Sequence, residues 1–132
     1  MTPLKVVFAI HGLITLAGAF VLMAFPTAIP SMAGITITRP DYLLVYLVAA
    51  AELAVAVLSF GAIRITDRAA LGLIVTTLVV LHATSGVLDI VYMALTQPNA
   101  TMISNTVLRF VVVTVLLVVW RVARHQTPGT SR

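Results

Sequence analysis

The chain has 132 residues, of which 61% are hydrophobic and only 9% are charged, and its mean hydropathy is +1.13. This composition excludes a soluble domain of ordinary make-up, and the lack of cysteine excludes disulfides, thiolate catalysis and cysteine-bound metals. The net charge is +4, but no basic patch with interleaved aromatic residues accompanies it, so the sequence predicts no nucleic-acid partner. The lipid bilayer is the expected surrounding.

Four long apolar segments predict four membrane-spanning helices. Each has the roughly 20 residues that a helix needs to cross a hydrocarbon core about 30 Å thick. Because lipid offers no hydrogen bonds to backbone amides, each segment must be helical. We expect a single all-α transmembrane domain over residues 1–132, with a short basic tail at 123–132. The predicted helices lie near 4–25, 42–63, 70–95 and 103–122.

The first two segments carry small and polar residues at helical spacing. In the first, His11, Thr15 and Gly18 share one face, which indicates an inward-facing stripe. In the second, alanines on both sides of Glu52 allow neighbouring helices to approach closely. The short turn that follows, at 64–68, offers a capping residue for the third helix and predicts a tight antiparallel hairpin of the second and third helices.

The basic residues predict the orientation of the bundle. Six of the eight Lys and Arg residues lie at the amino end, in the second loop or in the tail. By the positive-inside rule, we expect an up-down-up-down bundle with both termini cytoplasmic, in the cell membrane. These residues are Lys5, Arg64, Arg68, Arg121, Arg124 and Arg132.

The third segment holds a polar stripe, because "LHATSGVLDI" places His82, Ser85 and Asp89 at spacings of three and four. A rise of 1.5 Å per residue puts His82 about as deep as Glu52, and puts Asp89 near the outer boundary, within reach of Arg109 about 9 Å below it. An unpaired charge at the bilayer centre costs about 2.5–3.5 kcal/mol, so charges should pair inside the bundle. The depths therefore predict two pairs.

A buried carboxyl beside an imidazole can exchange a proton, which suits both a general acid–base pair and a proton relay. We therefore take Glu52 and His82 as candidate catalytic residues. Ser85, one turn beyond His82, either orients that imidazole or a ligand, or bonds to a carbonyl of its own helix.

Asp89 and Arg109 have two readings, a salt bridge that fixes the register of two helices or a pair that grips a polar substrate group. His11 is either a candidate binding residue or an interior histidine, and it has no charged partner at its estimated depth. No HxxH, HxxxH or ExxH spacing is present, so the sequence predicts no metal and no cofactor.

The overall layout gives little family information. A proline-containing outer loop, a basic turn and a polar third helix resemble many small bacterial four-helix membrane proteins of unassigned function. The size and the four spans also resemble small multidrug transporters. Those carry a proton-coupling glutamate in the first helix, where this chain has His11 and no carboxylate.

Two hypotheses from different classes follow. In the first, the bundle is an enzyme or binding protein that receives an apolar small molecule through a cavity open to the outer leaflet, with acid–base chemistry at the polar centre. In the second, it is a non-catalytic accessory subunit or scaffold of a larger membrane complex, with a packed interior. A small proton-coupled transporter lies between them and requires a homo-oligomer, since four helices per chain are too few.

Overall fold

The computed structural model describes residues 2–125, and that part of the chain is all-helical. Four of its helices are long and apolar enough to cross a membrane, which confirms the four predicted segments as helices. The predicted basic tail lies mostly outside the described residues. The elements are α1 (Pro3–Ala24), α2 (Ala28–Met32), a 3-10 turn (Arg39–Asp41), α3 (Tyr42–Ala62), α4 (Arg68–Leu95) and α5 (Ala100–His125).

Side-chain caps set the starts of α4 and α5. The Asp67 carboxylate accepts the backbone N–H of Ala70 at 2.7 Å, which confirms the predicted cap. The Asn99 side-chain oxygen accepts the N–H of Met102 at 2.9 Å. Because that cap lies just before Ala100, α5 begins three residues earlier than the apolar pattern indicates.

The loop between α1 and α3 is partly helical. Pro30 lies within the single short turn of α2, which ends where Gly34 takes a left-handed conformation with φ of 75°. Beyond it, Asp41 accepts the N–H of Thr38 at 2.9 Å and its hydroxyl at 2.7 Å. These bonds fix the turn from which α3 starts.

The long helices associate mainly as two pairs. α1 packs most extensively on α3, and α4 packs most extensively on α5. By contrast, α3 and α4 barely touch, so the tight hairpin that the short 64–68 turn predicts is wrong. A short connection brings two helix ends together, but it does not oblige the helices to pack along their length.

Aromatic rings seated over glycines explain which helices pair. A Cβ added at Gly12 of α1, Gly86 of α4 or Gly72 of α4 would lie within 3.0 to 3.1 Å of an aromatic ring on the partner helix. Such contacts form only where no side chain intervenes, so each glycine selects one partner. The rings belong respectively to Phe60 of α3, Phe110 of α5 and Trp120 of α5.

The buried core joins all four long helices at one end only. That end contains the first turns of α1 and α4 and the last turns of α3 and α5, and we call it the basic end because Lys5, Arg64, Arg68, Arg121 and Arg124 lie there. Toward the opposite end, the second buried cluster involves only α1, α3 and Ile37 of the loop. The main cluster contains Leu4, Phe8, Ala62, Ile74, Val75, Leu78 and Leu116.

The two glycines of α1 allow a direct test of this packing. Gly12→Ala and Gly18→Ala gain the same helix propensity, about 1 kcal/mol, but a Cβ at Gly18 meets nothing within 4 Å. We expect the Gly12 variant to be less stable than the Gly18 variant by about 1–3 kcal/mol, the usual cost of overpacking. Reversible unfolding in detergent micelles measures the difference. Equal stabilities of the two variants would contradict the close packing of Phe60 against Gly12.

Candidate functional site

Three polar side chains from three helices form a hydrogen-bonded chain, which we call the histidine cluster: His11 of α1, Ser59 of α3 and His82 of α4. The Nε2 atoms of His11 and His82 lie 2.7 Å apart, and their rings meet edge to face at an angle of 89°. The other nitrogen of His11, Nδ1, lies 2.8 Å from the Ser59 hydroxyl. Ser59 in turn donates to the carbonyl of Val55 at 2.9 Å.

The packing of α1 on α3 positions this cluster. His11 precedes Gly12, whose contact with Phe60 brings the two helices together beside Ser59. His11 is 6% exposed and Ser59 is fully buried. The hydroxyl of Thr15, one turn along α1, bonds back to the carbonyl of His11 at 3.0 Å and so remains outside the cluster.

The chain of bonds assigns the protons of the two imidazoles. Ser59 has one hydroxyl proton and donates it to Val55, so it must accept the proton of His11 Nδ1. A neutral His11 then has a bare Nε2, which accepts the Nε2 proton of His82. His82, neutral as well, therefore presents an unprotonated Nδ1.

That Nδ1 atom of His82 is buried and has no hydrogen-bond partner among residues 2–125. Leaving a buried acceptor unsatisfied costs about 1–3 kcal/mol, so such atoms call for an explanation. Ser85, one turn along α4, is half-buried and also makes no hydrogen bond to the described part of the chain. Neither predicted role of Ser85, orienting the imidazole or bonding to its own helix, is therefore realised by a contact within the described chain.

A second polar cluster joins α4 to α5. The Arg109 Nε atom lies 2.9 Å from the Asp89 carboxylate, and the Asn105 amide donates to the same oxygen at 3.3 Å. The contact between Asp89 and Arg109 confirms the predicted pair, while its role in substrate binding stays a prediction. We call these three residues the ion-pair cluster. The side chains of Arg109 and Asp89 are 25% and 31% exposed, so the pair is not enclosed by the bundle.

Glu52 does not pair with His82 as the depth estimate indicated. It is half-buried on α3 and forms no hydrogen bond or ion pair with any residue in the described range. His82 instead has His11 as its hydrogen-bond partner, and Glu52 lies two turns, about 10 Å, along α3 from Ser59.

The depth estimate failed because the helices are staggered. Counting from the helix starts places His11 about 12 Å along α1 and His82 about 21 Å along α4, yet their Nε2 atoms lie 2.7 Å apart. Where the histidines meet, α4 is therefore offset from α1 by about 9 Å along the bundle. This offset brings the two histidines to one level.

The sequence reasoning missed Ser59 and the contact between the two histidines. Ser59 follows Glu52 by two helical turns, so both lie on similar faces of α3, and this spacing was the available signal. Nothing in the sequence indicated the axial offset between α1 and α4. Within residues 2–125, no three His, Asp or Glu side chains are grouped closely enough to hold a metal ion.

Two cavities in the described part of the chain are lined by neither the histidine cluster nor the ion-pair cluster. One lies at the basic end and the other in the loop after α2. No protein-family model matches the chain, and no curated protein or solved structure is detectably similar to it. The function must therefore be argued from the clusters themselves.

The proton assignment can be read by nitrogen NMR of histidine-labelled protein at a pH where the imidazoles are neutral. We expect the proton of His11 on Nδ1 and that of His82 on Nε2, with exposed His125 as the reference for an unconstrained ring. Ser59→Ala removes the acceptor of His11 and should produce a mixture of tautomers. A wild-type His82 protonated on Nδ1 would reverse the assignment.

The ion pair of Asp89 and Arg109 should contribute to the stability of the folded protein in bilayers. Asp89→Leu or Arg109→Leu alone leaves one charge on an apolar helix, which should lower the free energy of unfolding by about 2–3 kcal/mol. The double variant leaves no charge and should recover most of that loss. A double-mutant cycle measures the coupling, and Arg39→Leu controls for loss of a cation elsewhere. Additive losses would show that the pair contributes nothing.

Proposed function

We propose that the protein is a multi-pass membrane protein of the cell membrane, an up-down-up-down bundle with both termini cytoplasmic. In this proposal the histidine cluster is an acid–base or hydrogen-bonding site for an apolar small molecule that bears a hydroxyl group. Four helices of spanning length and composition support the membrane location. The grouping of basic residues at one end of the bundle supports the orientation.

The unpartnered Nδ1 atom of His82 is the observation that carries the proposal. It is a neutral acceptor whose tautomer is fixed by the bonds through His11 to Ser59. A histidine oriented by a second group in this way is the arrangement that general bases use. A hydroxyl donor would satisfy the acceptor and recover the free energy lost by leaving it bare.

Proton transfer through the histidine cluster conserves both protons and charge. The ligand hydroxyl gives its proton to Nδ1 of His82, and the Nε2 proton of His82 passes to Nε2 of His11. His11 then carries protons on both nitrogens and the positive charge, while His82 is neutral again with its proton on Nδ1. The negative oxygen of the ligand and the charge on His11 are thereby separated by one imidazole. The Ser59 oxygen stabilises that charge by accepting from His11 Nδ1.

The far half of the bundle is the proposed route for the ligand. No buried apolar cluster joins the two helix pairs there within residues 2–125, whereas at the basic end one cluster joins all four long helices. Glu52 of α3 and the ion-pair cluster lie on that side of the histidines. In this proposal Arg109 and Asp89 bind a second polar group of the ligand, and Ser85 lies between the two polar levels.

The second candidate function is an accessory subunit or scaffold, as a homo-oligomer or within a larger complex. One observation favours it, because Asp89 and Arg109 are 31% and 25% exposed on helices that lipid would otherwise surround. A partner that covered this face would remove the charges from lipid. On this alternative the histidine cluster serves only to hold α1 against α4.

Binding of a hydrophobic phenol separates the two functions. We expect para-octylphenol to bind the protein in nanodiscs and to shift the Nδ1 resonance of His82, while para-octylanisole, which lacks the hydroxyl proton, does not. His82→Gln keeps a polar group at the position of Nε2 beside His11 but removes Nδ1. It should weaken binding of the phenol about tenfold, in line with one hydrogen bond to a buried group.

The ether and the Gln variant together control for nonspecific partitioning. Equal binding of phenol and ether, or equal binding by wild-type protein and His82→Gln, would contradict the acid–base site. If the Gln variant instead loses assembly while binding was never seen, the scaffold function is supported. Blue native electrophoresis of the wild-type protein and of His82→Gln measures their assembly.

A further inference from the structure

A cavity at the basic end differs in character from the polar clusters. It has a volume of about 280 Å³ and lies between the start of α1, the start of α4 and the end of α5. This is near the lower end of the roughly 300–1,000 Å³ typical of small-molecule sites, enough for a headgroup but not for a whole lipid. Lys5, Arg68 and Arg124 line it, and none of its lining residues within 2–125 carries a carboxylate.

The walls of the cavity are apolar. Leu4, Leu71 and Val119 contribute to them, together with the indole of Trp120. Trp120 packs over Gly72, where an added Cβ would lie 3.1 Å from the ring, so its position is fixed by α4. An anion that enters therefore meets both cations and hydrocarbon, which together match an anionic lipid headgroup and its acyl chains.

Two further features make the cavity attractive to an anion. The side chain of Lys5 is half-buried and forms no hydrogen bond or ion pair with any described residue. The first turn of α1 also lines the cavity and has no side-chain cap among the described residues, so the positive end of its dipole adds to the charge there. Asp67, which precedes Arg68 in the chain, caps α4 through Ala70.

We propose that this cavity binds the phosphate group of an anionic phospholipid. The inference rests on the membrane location given under the proposed function, but not on the histidine cluster. Lys5, Arg68 and Arg124 bind the phosphate, and Trp120 with Val119 contacts the first acyl carbons. The site would tie the ends of α1, α4 and α5 together at the membrane surface.

The only tryptophan of the chain reports on this site directly. In phosphatidylcholine nanodiscs that contain a minor fraction of brominated lipid, brominated phosphatidylglycerol should quench Trp120 more strongly than brominated phosphatidylcholine. Lys5→Gln with Arg124→Gln removes two cations of the cavity. Because a hydrogen bond to a charged group contributes about 1.5–3 kcal/mol, this double variant should lose the preference by at least about tenfold.

The matched control removes the same charge from the same end. Arg64 and Arg121 lie there but do not line the cavity, and at physiological salt the attraction of exposed charges is largely screened beyond about 8 Å. Arg64→Gln with Arg121→Gln should therefore change the preference less than about twofold. The double variant Lys5→Arg with Arg124→Lys keeps both charges and should retain the preference for phosphatidylglycerol. Equal loss in the two neutralised double variants would overturn the site in favour of diffuse attraction.

Inorganic phosphate distinguishes the source of the ligand. Inorganic phosphate added in place of sulfate at constant ionic strength should not displace the brominated phosphatidylglycerol. Displacement at millimolar phosphate would show that the site binds a free phosphate ester and not a lipid. Flotation with vesicles tests the membrane location separately. Protein that floats but shows no lipid preference contradicts only this inference, whereas protein that fails to float contradicts the proposed function.

Discussion

A hydrogen bond of 2.7 Å between His11 and His82 links the two helix pairs of the bundle. α1 packs on α3 and α4 packs on α5, each through an aromatic ring seated over a glycine, but these contacts lie within the pairs. Between the pairs, the shared core lies toward the basic end. The two histidines connect the pairs at its edge, and Ser59 extends this connection to α3.

The polar interior consists of two levels about 10 Å apart along the helices. The histidine cluster occupies the level nearer the core and consists of groups that are neutral in the assigned tautomers. The ion-pair cluster and Glu52 occupy the other level, where the side chains are partly exposed. The groups at the level nearer the core are thus neutral, whereas the full charges lie at the other level, where Asp89 and Arg109 bind each other.

The stripe "LHATSGVLDI" connects these two levels through α4. His82 belongs to the first and Asp89 to the second, with Ser85 between them. Helical spacing alone placed the three residues on one face, and the contact of Asp89 with Arg109 followed from the estimated depths. The partner of His82 did not follow, because the estimate assumed that all helices start at the same level.

The sequence by itself determined that four apolar helices form, that Thr66 or Asp67 caps α4, and that Asp89 meets Arg109, because these features depend on local periodicity and on neighbouring segments. Only the tertiary structure decided which helices pair and which side chains complete the histidine cluster. Helix pairing depends on where an aromatic ring of one helix packs against a glycine of another. The axial offset of α4 relative to α1 depends on how the core packs. Both are contacts between segments far apart in the chain, and the periodicity of one helix carries no information about its axial offset from another.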